Sequence, residues 1–169
     1  MIPPERLDAL ARVRLGRRGS TMRLGHAHLK IRDLDRSVSF YTRFLGLRVT
    51  EKVGSQLAFL TGGDLHHELA LQEVGSGAPD PPGGGVGLYH VAFEAPGRAE
   101  LASVYEALTA AGVVVLAVDH RISWALYFAD PDGNGLELYW DTRGEPFGAW
   151  EWRGFSQPLT IQRLMGKEG

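Results

Sequence analysis

Cysteine is absent from the 169-residue chain, which removes disulfides, thiolate zinc clusters and thiol nucleophiles together. Any metal bound here must use nitrogen and oxygen donors. Long apolar runs are missing too. None approaches the roughly 20 residues that a membrane span requires, and the N-terminus has no hydrophobic signal core, so a cytoplasmic protein with no membrane partner is expected. Positive charge is not in excess: 18 Lys and Arg stand against 20 Asp and Glu, for a net charge of −2. Such a chain has no basic field for nucleic acid, and small molecules are the expected partners. A hydrophobic content of 44% supports one substantial core, in a chain too short for two ordinary independent domains.

What the chain does have is an internal repeat. Leu24-Gly25-His26-Ala27-His28-Leu29-Lys30-Ile31 and Leu88-Tyr89-His90-Val91-Ala92-Phe93-Glu94 each place a histidine third in an alternating strand. Over 33–47, Leu34, Val38, Tyr41, Phe44 and Leu45 fall at helical spacing with Gly46 as the stop. Over 98–111, Leu101, Val104, Tyr105 and Leu108 do the same, with Gly112 as the stop. Strands are predicted next, at 48–50 and 113–118. Each half then closes with a strand, a Gly/Asp turn and a strand, at 56–60 and 68–73, and at 124–128 and 136–140. Phe59 precedes Glu68 by the same nine positions that separate Phe128 from Glu137.

The pattern predicts an α+β fold in which paired βαβββ modules form a cup-shaped, partly open mixed β-barrel with helices outside. The modules span 23–78 and 87–143 in one structural domain. They are joined by a linker at 79–86, within a glycine- and proline-rich stretch whose composition suits no packed strand. No helix follows those glycines directly, so they cradle no phosphate. Residues 1–22 form an extension with no counterpart in the repeat; a short helix over 4–15 fits its pattern, and no function is assigned to it. Residues 144–169 form a tail in which Trp150, Trp152 and Phe155 are expected to pack on the sheet or on a second subunit, which makes a homo-oligomer a candidate assembly. The turn Asp130-Pro131-Asp132-Gly133-Asn134-Gly135 reads as structural, because a tight connection needs these residue types.

Side chains alternate across a strand. With Ala27, Leu29 and Ile31 under a helix, His26 and His28 face the concave side. The same parity turns His90, Glu137 and Tyr139 inward. Two imidazoles and one carboxylate then converge, leaving open positions on an ion for substrate, oxygen or water, the arrangement of non-haem Fe(II) oxygenases. Mn(II), Ni(II) and Zn(II) also suit these donors. A single histidine of this kind is more often a satisfied core residue; the corresponding placement of all three is what favours a metal site.

Gly25-His26, the run Asp33-Leu34-Asp35-Arg36-Ser37-Val38-Ser39-Phe40-Tyr41, and Leu45-Gly46-Leu47 resemble the first module of the vicinal oxygen chelate superfamily. Tyr89-His90-Val91-Ala92-Phe93 and the stretch from Asp130 through Glu137 to Tyr139 resemble its second. The resemblance implies metal ligation by His26, His90 and Glu137. His66-His67-Glu68-Leu69-Ala70-Leu71 is similar to a stretch of extradiol dioxygenases in which the second histidine is an acid/base. On that likeness His67 is the acid/base, His120 donates to a bound substrate oxygen, and Tyr127, ten residues before Glu137, holds the adjacent one. Considered without the resemblance, His67 reads equally well as one of a solvated turn pair, His120 as a strand-end residue, and Tyr127 more often as core. His28 and Tyr139 are expected to line the pocket.

Fold alone does not select a reaction. The resemblance favours Fe(II)-dependent cleavage of a catechol-like aromatic diol with O2. Glu68 matches Glu137 in the repeat and is a candidate fourth ligand; with it bound, a glyoxalase I-type isomerase using Zn(II) or Ni(II) becomes the competing reading. A metal-free small-molecule-binding or resistance protein is a third. Parity opposes His67 and Glu68 unless His67 belongs to the turn, and Arg121-Ile122-Ser123-Trp124 is expected to place bulk beside His120.

Overall fold

A computed structural model describes residues 22–81 and 83–167; residues 1–21 of the N-terminal extension, with the helix expected at 4–15, lie outside the described residues. β1 (Ala27–Ile31) leads into α1 (Leu34–Leu45), followed by β2 (Arg48–Val53), β3 (Leu57–Thr61) and β4 (Leu69–Glu73). The second half repeats this order with β5 (Val91–Glu94), α2 (Arg98–Ala110), β6 (Leu116–Asp119), β7 (Ser123–Ala129) and β8 (Gly135–Asp141). The tail adds β9 (Gln157–Pro158) and α3 (Ile161–Met165). Two curved sheets result, in the orders β1-β4-β3-β2 and β5-β8-β7-β6-β9. The described strands do not close into a barrel.

Local chemistry sets the ends of α1. Asp33 accepts a hydrogen bond from the Arg36 amide at 2.8 Å, satisfying one of the free first-turn donors. Gly46 closes the helix at φ +66°, a left-handed conformation that costs glycine little. In the second half the strand begins later than 113, because the Val113 amide is spent on the Leu108 carbonyl in closing α2; pairing starts at Leu116 opposite Tyr127. The other strand boundaries differ from expectation by a few residues at their ends.

The first strand of each half pairs parallel with the last, β1 with β4 and β5 with β8. This leaves β1 and β5 as the edges of their sheets. Leu29, Ile31, Leu60, Leu69 and Leu71 of the first sheet and Leu126, Leu136 and Leu138 of the second are buried in one core that also takes Tyr41, Leu101 and Leu108 from the helices. The alternation read from sequence therefore appears in the packing, with His28, Ala92 and Glu94 on the open side of their strands.

The turn at 130–135 clamps the two halves together. Asp130 Oδ1 accepts the Asp132 and Asn134 amides, each at 2.9 Å, and its other oxygen accepts the buried Tyr41 hydroxyl at 2.9 Å. Asp132 takes Arg36 at 2.6 Å and the Ser37 hydroxyl at 3.3 Å. Burial pushes the Asp132 carboxyl up, but its bonds to Arg36 and Arg32 outweigh this and hold it below the ordinary range. Arg32 also binds the Ala78 carbonyl at 2.9 Å and Asp80 at 2.6 Å, fastening the start of the connection between the halves. In the tail, Phe147 stacks on Trp124 at 5.1 Å, and Leu164 of α3 is fully buried.

Candidate active site

β7 and β8 pair with Tyr127 directly opposite Glu137, and β5 and β8 pair with Ala92 opposite Glu137. His90, two residues before Ala92, shares its face. This register gathers four of the expected side chains. The Tyr127 hydroxyl donates to Glu137 Oε1 at 2.9 Å, and His90 Nε2 lies 2.9 Å from Glu137 Oε2. On the far side, His120 Nε2 is 2.9 Å from the Tyr127 oxygen. His120 occupies the turn after β6, where its amide bonds to the Ser123 carbonyl at 2.9 Å. Burial pushes the Tyr127 phenol up, and the hydrogen bond to Glu137 pushes it further, so this group keeps its proton at neutral pH.

Tyr139 follows Glu137 on the same face. Its hydroxyl donates to Glu94 at 3.2 Å, and burial followed by the Glu94 charge raises its pKa. Both line a cavity of about 440 Å³ with Glu137, Asp141, Arg143 and Trp150. Of the bulk expected beside His120, Arg121 lies over the Phe155 ring at 4.0 Å, and Trp124 is buried against Phe147.

The remaining candidates stand on the first sheet. His67 belongs to the turn between β3 and β4, which removes the parity conflict with Glu68. Its ring packs on His26 at 4.5 Å and on Phe59 at 4.8 Å, and its Nδ1 lies 2.9 Å from that of His66. Desolvation, then the neighbouring imidazoles of His26, His66 and His28, lowers its pKa, so neutral imidazole prevails at pH 7. Glu68 spends its Oε2 on the turn, accepting the Thr61 hydroxyl at 3.1 Å and the Gly62 amide at 3.0 Å.

The structure thus brings together His90, Glu137, Tyr127 and His120 as one set, and His26 and His67 as another. Among the described residues no hydrogen bond or ring contact joins the two sets, and no three His, Asp or Glu side chains gather as a metal centre. The donor chemistry of the pair nonetheless suits an ion. Adjacent ligands around an octahedral centre with bonds of ~2.1 Å stand about 3 Å apart, which is the separation of His90 Nε2 from Glu137 Oε2. His90 Nδ1 is buried without a partner, so no second bond holds that ring against turning toward a ligand.

Sequence reasoning missed Ser156, whose hydroxyl lies 2.8 Å from His120 Nδ1. It sits 36 residues away in a tail read only as an aromatic packing segment, and no local motif marks it. Glu94 was missed as the partner of Tyr139, although strand parity placed it on the same face.

The profile of the family described as the Glyoxalase/Bleomycin resistance protein/Dioxygenase superfamily matches residues 23–138. A catechol-2,3-dioxygenase of Bacillus subtilis (strain 168) is 39% identical over 76% of this chain and 44% of its own length. A biphenyl-2,3-diol 1,2-dioxygenase of Rhodococcus globerulus is 34% identical over 75% of this chain and 67% of its own. The chain thus spans less than half of the first of these relatives. The glutathione transferase FosA of Serratia marcescens is 31% identical over 69% of this chain and 79% of its own. Among solved structures, a glyoxylase/bleomycin resistance protein/dioxygenase domain from Frankia is 27% identical at a TM-score of 0.60, covering 72% of this chain and 99% of that one.

Proposed function

Since the chain belongs to the Glyoxalase/Bleomycin resistance protein/Dioxygenase superfamily, we propose that it is a metal-dependent enzyme of the extradiol type, opening a catechol-like aromatic diol with O2. The observation that carries this reading is the hydrogen-bonded set His120, Tyr127, Glu137 and His90. A proton-holding phenol and an imidazole stand beside two metal-type donors, as a diol that must shed protons on chelation requires. The two dioxygenase relatives support the same choice.

His90 and Glu137 would hold the ion, taken here as Fe(II), and His26 would complete the set from a second copy of the chain. Within one chain His26 packs on His67, and the edge strands β1 and β5 leave room for a partner sheet. A bound ion would supply the Lewis acidity and redox chemistry that this reaction needs. His120 and Tyr127 orient the two diol oxygens, and neutral His67, brought in beside His26, accepts and returns a proton. His28 and Tyr139 line the pocket. The engagement of Glu68 with Thr61 and Gly62 favours three protein ligands over four, and with them the dioxygenase over the isomerase.

Metal analysis of anaerobically purified protein, with oxygen uptake on a panel of catechols, tests the proposal. Iron and uptake on at least one catechol are expected. Zinc or nickel with isomerisation of the methylglyoxal-glutathione adduct, and no uptake, would transfer the assignment to the isomerase. Absence of all metal and of both activities would mark a binding protein.

A further inference from the structure

We infer that Ser156 is a positioning residue that fixes the tautomer of His120, and through it the direction of the hydrogen bonds that reach Glu137. Its effect on turnover rests on the dioxygenase reading; the tautomer itself does not.

The Tyr127 hydroxyl has a single proton and donates it to Glu137 Oε1. The Tyr127 oxygen must then accept from its other neighbour, and His120 Nε2 at 2.9 Å must carry the hydrogen. A neutral imidazole has one N–H, which leaves Nδ1 as an acceptor. Two oxygens stand near Nδ1, and they pull in opposite directions. The Ser156 hydroxyl at 2.8 Å can donate to it. The Phe155 carbonyl at 3.4 Å can only accept, and would draw the proton onto Nδ1. The nearer group has the better geometry, so hydrogens run from Ser156 to His120, to Tyr127, to Glu137.

The fold builds this contact deliberately. β9 pairs antiparallel with β6, with Asp119 opposite Gln157, and the next step of that register sets His120 against Ser156. Asp119 in turn is fixed by Arg163 of α3 at 2.9 Å, and the Trp152 ring stands edge-on to His120 at 6.0 Å. A strand of two residues thereby delivers one hydroxyl to one ring nitrogen. Without that hydroxyl, the Phe155 carbonyl captures the proton on Nδ1, Nε2 becomes an acceptor, Tyr127 turns to it, and Glu137 Oε1 loses its donor while Oε2 keeps His90.

The test is the 15N spectrum of the imidazoles in the full-length metal-free protein at about pH 8, where histidine is neutral, with His120 assigned by its loss in His120→Gln. The wild type is expected to show the Nε2–H form, Ser156→Ala a shift to Nδ1–H, and Ser156→Thr the wild-type form again. Ser156 is exposed, so the alanine variant should fold as the wild type does. In metal-loaded protein turning over a catechol, Ser156→Ala should lower kcat about tenfold with KM within about twofold, and Ser156→Thr should restore it. A wild-type Nδ1–H form, or a Ser156→Ala protein that keeps Nε2–H, overturns the inference even where kcat falls. A tautomer switch in a protein that opens no catechol leaves the positioning role standing and removes the dioxygenase reading instead.

Discussion

Glu137 is held from two sides, one oxygen by a phenol that keeps its proton and the other by an imidazole. Replacing Tyr127 with Phe removes the first bond without touching either donor of the pair. Metal content should therefore stay at the wild-type level while kcat falls on the order of a hundredfold, read by metal analysis and steady-state oxygen uptake on the same sample. Loss of the metal in that variant would mean that Tyr127 supports ligation and takes no part in handling substrate. His67 offers the complementary case. Its ring is backed by Phe59 and His26, so His67→Phe should fit the same seat, slow ring opening and leave the metal in place, whereas His26→Ala should lower metal occupancy itself. An emptied His67→Phe protein would invert those two roles.

Turns and helix ends decide how the elements meet. Asp132 lies at the tip of the β7-β8 connection and reaches Arg36 and Ser37 on α1, so Asp132→Asn should cost about 2 kcal/mol at pH 7, measured by urea unfolding. The sign of its pH dependence is fixed. The folded carboxyl titrates below its unfolded value, so its contribution is present above pH ~4 and is lost as pH falls through the folded pKa. The gap between wild type and Asp132→Asn should therefore narrow in that acid window; a constant gap would assign the loss to packing. The ends of α1 were legible in the sequence, since Asp33 and Gly46 act through bonds to residues a few positions away. The strand face that carries His28, Ala92 and Glu94, away from the core, was legible too, because parity is a local rule. Partnerships across the chain were not: Tyr41 meets Asp130 over 89 residues, and His120 meets Ser156 over 36, distances at which no spacing carries a signal. The turn 130–135 could be read as structural from its glycines and proline, but not that it would grip the other half's helix. Nor could parity say whether His26 and His90, each on the open face of its own sheet, would come within reach of one another.

For the molecule as a whole, the proposed second copy of the chain would answer that last question. Both β1 and β5 are sheet edges, and unpaired edges are surfaces that proteins cover. The side chains beside them, Leu24, Leu88 and Tyr89, are 89%, 72% and 86% exposed. If a symmetric pair joins these edges, His26→Ala and Glu137→Ala proteins, each metal-poor alone, should recover about a quarter of the wild-type metal when refolded together. Half the random pairs are then mixed, and each mixed pair has one intact site of two. A mixture as empty as its parents would place His26 and Glu137 in the same copy. No helix among the described residues is long and apolar enough to cross a membrane. The bond between Tyr41 and Asp130 has a consequence for any attempt to divide the gene at its duplication. The two groups are 0% and 5% exposed, and each satisfies the other across the seam. A fragment carrying only the first half would strand the Tyr41 hydroxyl, and one carrying only the second would take from the buried Asp130 carboxylate its one donor from across the seam. Twin in sequence, the halves are no longer self-sufficient, and neither should accumulate as a folded polypeptide without its sibling.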